Sequence, residues 1–158
     1  MRCTRIRFVL LTMCLACSPA ALGAQSMYAA AGLGQTPVLE SRSGNRNWFG
    51  TIGYQGREAM GGRISGVETV SRLWLTADVT YQPAKAPSVW RPYALLGAGV
   101  AVDFSETDPV LGAGAGLRAQ LQRSIFAFAE ARFLTVVGST ASGPRRILPI
   151  TVGLGLGK

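Results

Sequence analysis

From Leu73 to the C-terminus the chain alternates with a period of two. On Leu73, Leu75, Ala77, Val79 and Tyr81 every second residue is apolar, with Arg72, Trp74, Thr76, Asp78, Thr80 and Gln82 between them. The run Leu111, Ala113, Ala115, Leu117, Ala119 and Leu121 repeats the pattern, with Gly112, Gly114, Gly116, Arg118, Gln120 and Gln122 between. Three further stretches, around 93–104, 125–134 and 147–157, read the same way, and no apolar-phase position in any of the five is charged. Period two is the signature of strands, whose successive side chains point to opposite faces. The charges fall on the other phase, at Arg72, Asp78, Asp103, Arg118, Glu130 and Arg132. A Lys or Arg on the lipid face of a membrane barrel costs about 2–4 kcal/mol at mid-bilayer, so a charge-free outer face with charges inside is what lipid selects. A soluble ligand-binding barrel has the reverse arrangement.

The pattern predicts eight strands: Met27–Gly34, Asn47–Tyr54, Ala59–Val67, Arg72–Gln82, Tyr93–Phe104, Leu111–Gln122, Ile125–Leu134 and Ile147–Gly157. Their lengths suit the roughly 9–11 tilted residues of a membrane-crossing strand. The fold expected is all-β, an eight-stranded antiparallel up-and-down transmembrane β-barrel. With both termini on one side, Gln35–Arg46, Glu68–Ser71, Ser105–Val110 and Thr135–Arg146 are the outer connections. The proline-rich connection Pro83–Pro92 is longer than an inner turn should be.

The first 24 residues stand apart. Arg2, Arg5 and Arg7 precede the apolar run Phe8–Ala16, Ser18-Pro19 breaks it, and Leu22-Gly23-Ala24 offers a cleavage site. This reads as a secretory signal peptide over 1–24, leaving a barrel domain over 25–158. The three cysteines, Cys3, Cys14 and Cys17, all lie within it, so the mature chain is expected to lack disulfides and thiolate chemistry. Leu15-Ala16-Cys17 faintly resembles a lipoprotein cleavage box, with Cys14 where leucine is usual. Loss of the segment leaves thirteen of the sixteen basic residues against eight acidic ones, scattered without a Lys/Arg run, which gives nucleic-acid binding no footing.

Inward-phase residues supply the candidate interior. Arg118 and Glu130 face each other across the Arg123-Ser124 turn, and Arg63 and Asp78 have matching phase on strands three and four. With Arg132 they are expected to form a structural polar network in the lumen, since an unpaired buried charge is costly. Glycines at 97, 99, 112, 114, 116, 153, 155 and 157 share that face. They read either as room for Trp74, Tyr93, Phe126 and Phe128 in a packed lumen, or as one side of an open channel. Tyr28, Trp48, Phe49, Tyr54, Tyr81, Trp90, Phe104 and Phe133 fall near predicted strand ends, as aromatic girdles do.

Several segments resemble the small outer-membrane barrels of the OmpA/OmpX type. Arg91-Pro92-Tyr93-Ala94-Leu95-Leu96-Gly97-Ala98-Gly99 is similar to the Pro-Tyr-x-x-x-Gly-x-Gly strand of that family, and Phe128-Ala129-Glu130-Ala131-Arg132-Phe133 to its penultimate strand. The ending resembles the C-terminal strand read by the barrel-insertion machinery, with Thr151, Gly153 and Leu156 matching and Lys158 standing where phenylalanine is usual. The resemblance implies export to the cell outer membrane, with outer-membrane lipids, lipopolysaccharide and the insertion machinery as partners and a monomeric barrel.

Catalytic chemistry is thin. The chain has no histidine, the commonest general base and metal ligand, and the barrel enzymes that remodel lipid A, phospholipids or peptides rely on it. Ser65, Ser71, Ser105 and Ser124 show no base partner, and an enzyme would need Glu130 or Asp78 in that role. No cofactor or metal is expected. Asp103, Glu106 and Asp108 read as a solvated acidic loop, with an oxygen-ligand calcium site as the other reading. Arg42, Arg46, Arg145 and Arg146 flank outer loops, where lipopolysaccharide phosphates would lie. The functional expectation is a non-enzymatic barrel with a structural or surface-interaction role. A small channel, and a soluble or lipid-anchored periplasmic ligand-binding barrel, are the alternatives.

Overall fold

The computed structural model of the chain describes residues 24–39, 44–56, 59–83, 89–103, 106–138 and 145–157. The expected signal segment up to residue 23, and Arg42, Phe104, Ser105 and Lys158, lie outside these residues. The strands are β1 (Ala24–Pro37), β2 (Gly44–Gly56), β3 (Met60–Glu68), β4 (Leu73–Tyr81), β5 (Trp90–Val102), β6 (Thr107–Gln122), β7 (Ile125–Val136), β8 (Arg146–Ile147) and β9 (Ile150–Gly157). From β1 to β8 each strand pairs antiparallel with the next, and β9 closes the cylinder between β7 and β1.

β8 and β9 are two pieces of one stave. The register of Leu134 with Ile147 continues without a slip into that of Ala131 with Ile150. Pro149 lies between them and lacks the N–H that would continue the ladder. Its carbonyl still accepts the Arg132 N–H at 3.0 Å. The result is an eight-staved up-and-down antiparallel barrel. Following cross-strand partners once round from Tyr28 leads through Gly53, Arg63, Asp78, Gly97, Gly112, Leu134 and Ile147 to Val38. The path leaves and re-enters β1 ten residues apart, the stagger that tilts the strands about the axis. Rows of partners therefore climb toward the outer-loop end on passing from β9 through β1 to β4.

The alternation is borne out in the burial of each strand. β3 and β4 bury Arg63, Ser65, Val67, Trp74, Thr76, Asp78 and Thr80, while β9 exposes Ile150, Val152, Leu154 and Leu156. Leu96, Leu111, Leu117 and Val79 are likewise exposed large apolar side chains on the outer face. Trp48, Tyr54, Tyr81, Trp90 and Phe133 lie exposed near strand ends. Tyr28 and Phe49 do not join them: both are buried in the lumen beside Trp74, Phe126 and Phe128. Their phase within β1 and β2, rather than their nearness to a strand end, sets the face they occupy.

Several strand boundaries differ from the reading of the sequence. β1 and β2 run further at both ends, since mutual pairing from Pro37–Gly44 to Ala24–Gly56 overrides weak local preference. β6 begins at Thr107 rather than Leu111. Asp and Pro are depleted in strands, yet Asp108 turns inward and Pro109 outward, with the Pro109 carbonyl accepting the Val137 N–H at 2.9 Å. Asp103 lies beyond the end of β5, its N–H donating to the Glu106 carbonyl at 3.1 Å and its carboxylate accepting the Glu106 N–H at 2.8 Å.

Candidate functional site

The lumen holds two charged clusters on one axis. At mid-height Arg63 of β3 donates from both terminal nitrogens to Glu130 of β7, Nη1 to Oε2 and Nη2 to Oε1, each at 2.6 Å. Arg63 Nε turns to its cross-strand neighbour Asp78 at 3.1 Å. Arg132, two residues beyond Glu130 on the same face, donates to Asp78 Oδ1 at 2.7 Å and to Thr76 Oγ1 at 2.8 Å. Its Nε lies 3.6 Å from Glu130 Oε1. Tyr93 adds an O–H bond to Glu130 at 2.6 Å, and Ser65 one to Asp78 at 3.0 Å.

The period-two phase of each strand is what aims these groups inward, and the barrel register brings them to one level. Two guanidiniums and two carboxylates compensate one another in charge. Charge-assisted forks of this geometry are among the strongest protein hydrogen bonds, and satisfied partners are what make burial of four ions tolerable. Both carboxylates are occupied by guanidinium and hydroxyl donors, so neither has the character of a free general base.

Arg118 stands apart from that quartet. Glu130 is engaged by Arg63 and Tyr93 instead, because on the β6–β7 ladder Glu130 pairs with Gly116 and Arg118 with Phe128. The Arg118 guanidinium lies against two rings, 4.4 Å from the Tyr28 centroid and 4.3 Å from that of Phe126. The two rings meet each other edge to face, their planes at 79°, and the expected pairing of Arg118 with Glu130 is corrected to a cation–π contact with both.

At the outer-loop end, Arg72 donates from Nη2 to Asp103 at 3.0 Å and to Asp108 at 2.9 Å. The Arg72 backbone is fixed by Thr69, whose hydroxyl donates to the Arg72 carbonyl at 2.8 Å and whose N–H does so at 2.9 Å. The acidic residues at 103 and 108 thus meet a guanidinium at the barrel mouth.

The glycine phase is occupied space. A methyl group on Gly116 would fall 2.5 Å from the Tyr93 ring, and on Gly153 2.7 Å from Phe128. Gly155 lies under the Phe126 ring and Gly97 under the Asp78 carboxylate. Three aromatic side chains thus lie on the glycine tracks. Of the C-terminal residues, Thr151 and Gly153 face the lumen and Leu156 faces outward. Nothing in the sequence points directly to Tyr93, Thr76 and Ser65 as partners of the charged quartet; inward phase is the one available signal.

No protein family and no curated protein matches the chain. Solved structures do. Neisserial surface protein A superposes with a TM-score of 0.68 at 13% identity, over 83% of this chain and 95% of that one. The N-terminal β-barrel domain of Pseudomonas aeruginosa OprF gives 0.65 at 16% identity, over 85% and 99%. The outer membrane enzyme PagL gives 0.52 at 14% identity, over 81% and 97%. These likenesses carry the fold: a small, closed, OmpA/OmpX-like transmembrane barrel.

Proposed function

We propose that the chain is a non-enzymatic barrel of the outer membrane, closed along its axis, with a structural or surface-interaction role. The observation that carries this reading is the Arg63–Glu130 fork, which crosses the lumen between opposite staves and is braced by Arg132, Asp78 and Tyr93. An interior of eight strands is only wide enough for side chains to fill. Here they fill it with oppositely charged, hydrogen-bonded side chains and with rings.

PagL demonstrates that the fold hosts enzymes, so fold alone does not decide the question. The chemistry of this chain argues against one: it has no histidine, and the lumenal carboxylates are committed to guanidiniums. Outer-membrane lipids and lipopolysaccharide are its surroundings in this reading, and the C-terminal strand is its address to the insertion machinery.

Fractionation and planar-bilayer recording test the proposal together. The expected result is recovery in outer membranes, a heat-dependent shift in gel mobility, and no unitary conductance from purified protein. Steady channel openings would favour the transport reading, and a soluble periplasmic protein without the shift would favour the ligand-binding one.

A further inference from the structure

Charge is distributed unevenly along the barrel axis. Among the described residues, every carboxylate lies at mid-height or beyond it toward the outer loops. Asp78 and Glu130 belong to the quartet, and Glu68, Asp103, Glu106 and Asp108 stand at the loop end. The opposite end, where β1 begins and β9 finishes, carries only cations among its described charges. Arg91 opens β5, Arg118 lies near the end of β6, and Arg123 sits on the turn that follows.

Two of these arginines share one rung. Arg91 and Arg118 are direct cross-strand partners, and both have the inward phase of their strands. Like charges set opposite each other on one face of a ladder are destabilising. Neither guanidinium has a carboxylate or hydrogen-bond partner among the described residues. The Tyr28 and Phe126 rings hold that of Arg118 in place, but a cation–π contact does not discharge it. Its Nε is buried without a partner, while the residue as a whole is only half-buried, so the fork keeps access to the mouth.

The space above is shut. A void of about 10 Å³, lined in part by Arg63, Tyr93, Arg118 and Phe128, has room for one water-sized group. Arg63 and Tyr93 are both bonded to Glu130, which closes the lumen over it. The termini end is therefore a blind, positively charged vestibule beneath the quartet rather than a passage.

We infer that this vestibule binds one phosphate group between Arg91 and Arg118, with Arg123 nearer solvent. The planar guanidinium fork matches phosphate oxygens. A phosphate dianion offsets both members of the cross-strand pair, which a single carboxylate does not. The same chemistry is offered by free inorganic phosphate and by a phospholipid headgroup at the barrel rim. The inference goes beyond the role proposed above and needs only the barrel and its register.

The test uses the mature chain refolded in octyl glucoside micelles, which carry neither charge nor phosphate. The folded fraction, identified by its heat-dependent gel shift, is dialysed against radiolabelled inorganic phosphate at fixed ionic strength in chloride. Saturable binding of one phosphate per barrel is expected. Arg91→Gln should weaken it about ten-fold, the loss of one charge-assisted contact, and Arg118→Met should weaken it at least as much. Arg46→Gln/Arg146→Gln, altered at the loop end, should bind as the parent does. Arg91 is exposed, so its variant keeps the question open to measurement even if Arg118→Met does not fold. Short-chain phosphatidylglycerol added to the micelles separates the two sources: displacement of the label at a few lipids per barrel identifies a headgroup, and its persistence identifies the free ion. Absence of saturable binding overturns the inference, as does equal affinity in Arg91→Gln and the parent.

Discussion

Arg63 and Glu130 meet across the full width of the barrel. They are 67 residues apart in sequence, and three staves separate β3 from β7 in either direction round the wall. Their side chains nevertheless form a two-bond fork at 2.6 Å. A contact of this span acts as a strut, because the wall cannot widen or flatten there without parting it.

Breaking the strut from one side should therefore cost more than removing it whole. Glu130→Ala leaves Arg63 buried with only Asp78 as acidic partner and strips Tyr93 of its acceptor. Loss of one member of a buried pair costs about 3–5 kcal/mol, whereas apolar replacement of both is often near neutral. Urea unfolding in vesicles should show a large destabilisation for Glu130→Ala and a much smaller one for Arg63→Met/Glu130→Leu. Equal losses in the two variants would mean that the fork carries no coupling.

The direction of the faces makes a second demand. Ala129 is exposed on the outer side of β7, one residue from buried Glu130. Ala129→Arg is expected to lower stability in vesicles by about 2–4 kcal/mol, the cost of a cation at mid-bilayer on the lipid face. The arginine would add no lumenal clash, so the loss reads the lipid environment itself. A barrel in water would accept the change with little effect, and refolding yield followed by gel mobility distinguishes the two.

Legibility in the sequence followed the same distinction between face and partner. Strict alternation fixed the inward side of Arg63, Asp78, Glu130 and Arg132, because a one-residue error in phase would turn every charge of a strand into lipid. Phase does not say which inward group meets which. Neighbouring strands suggested Arg118 with Glu130, but the partner of Glu130 comes from the opposite wall, and that depends on barrel closure and stagger. The short eighth strand was legible as one unit, although Pro149 interrupts its ladder. The start of β6 was hidden, since Asp108 and Pro109 look like loop residues until Arg72 and Val137 are seen beside them.

The packed reading of the glycine face is testable by volume. Gly116→Val would drive a branched side chain into the Tyr93 ring, already 2.5 Å from an added methyl. Overpacking of this kind costs about 1–3 kcal/mol, and displacing Tyr93 would also loosen its bond to Glu130. Gly50→Ala is the control, since that outward position has open space. Unfolding should separate the two clearly. A Gly116→Val barrel as stable as its parent would indicate that the lumen has room to spare there.

Arg118 gives the finest discrimination, because it is held by rings rather than by a carboxylate. Its guanidinium packs in the corner formed by the Tyr28 and Phe126 rings, and the Tyr93 ring lies at 5.9 Å. Cation–π contacts are worth roughly 0.5–2 kcal/mol, less than the loss of a buried ionic partner. Arg118→Met keeps the length and apolar stem but removes the charge, so it should cost only about 1–2 kcal/mol. Arg118→Glu would instead set a carboxylate against ring faces whose quadrupoles repel it, and should destabilise far more. If Arg118→Met were as damaging as Glu130→Ala, Arg118 would have to be a full member of the ionic network. The measured ratio of those two losses therefore reports whether Arg118 belongs to the ionic network at mid-height or is held apart from it by the rings.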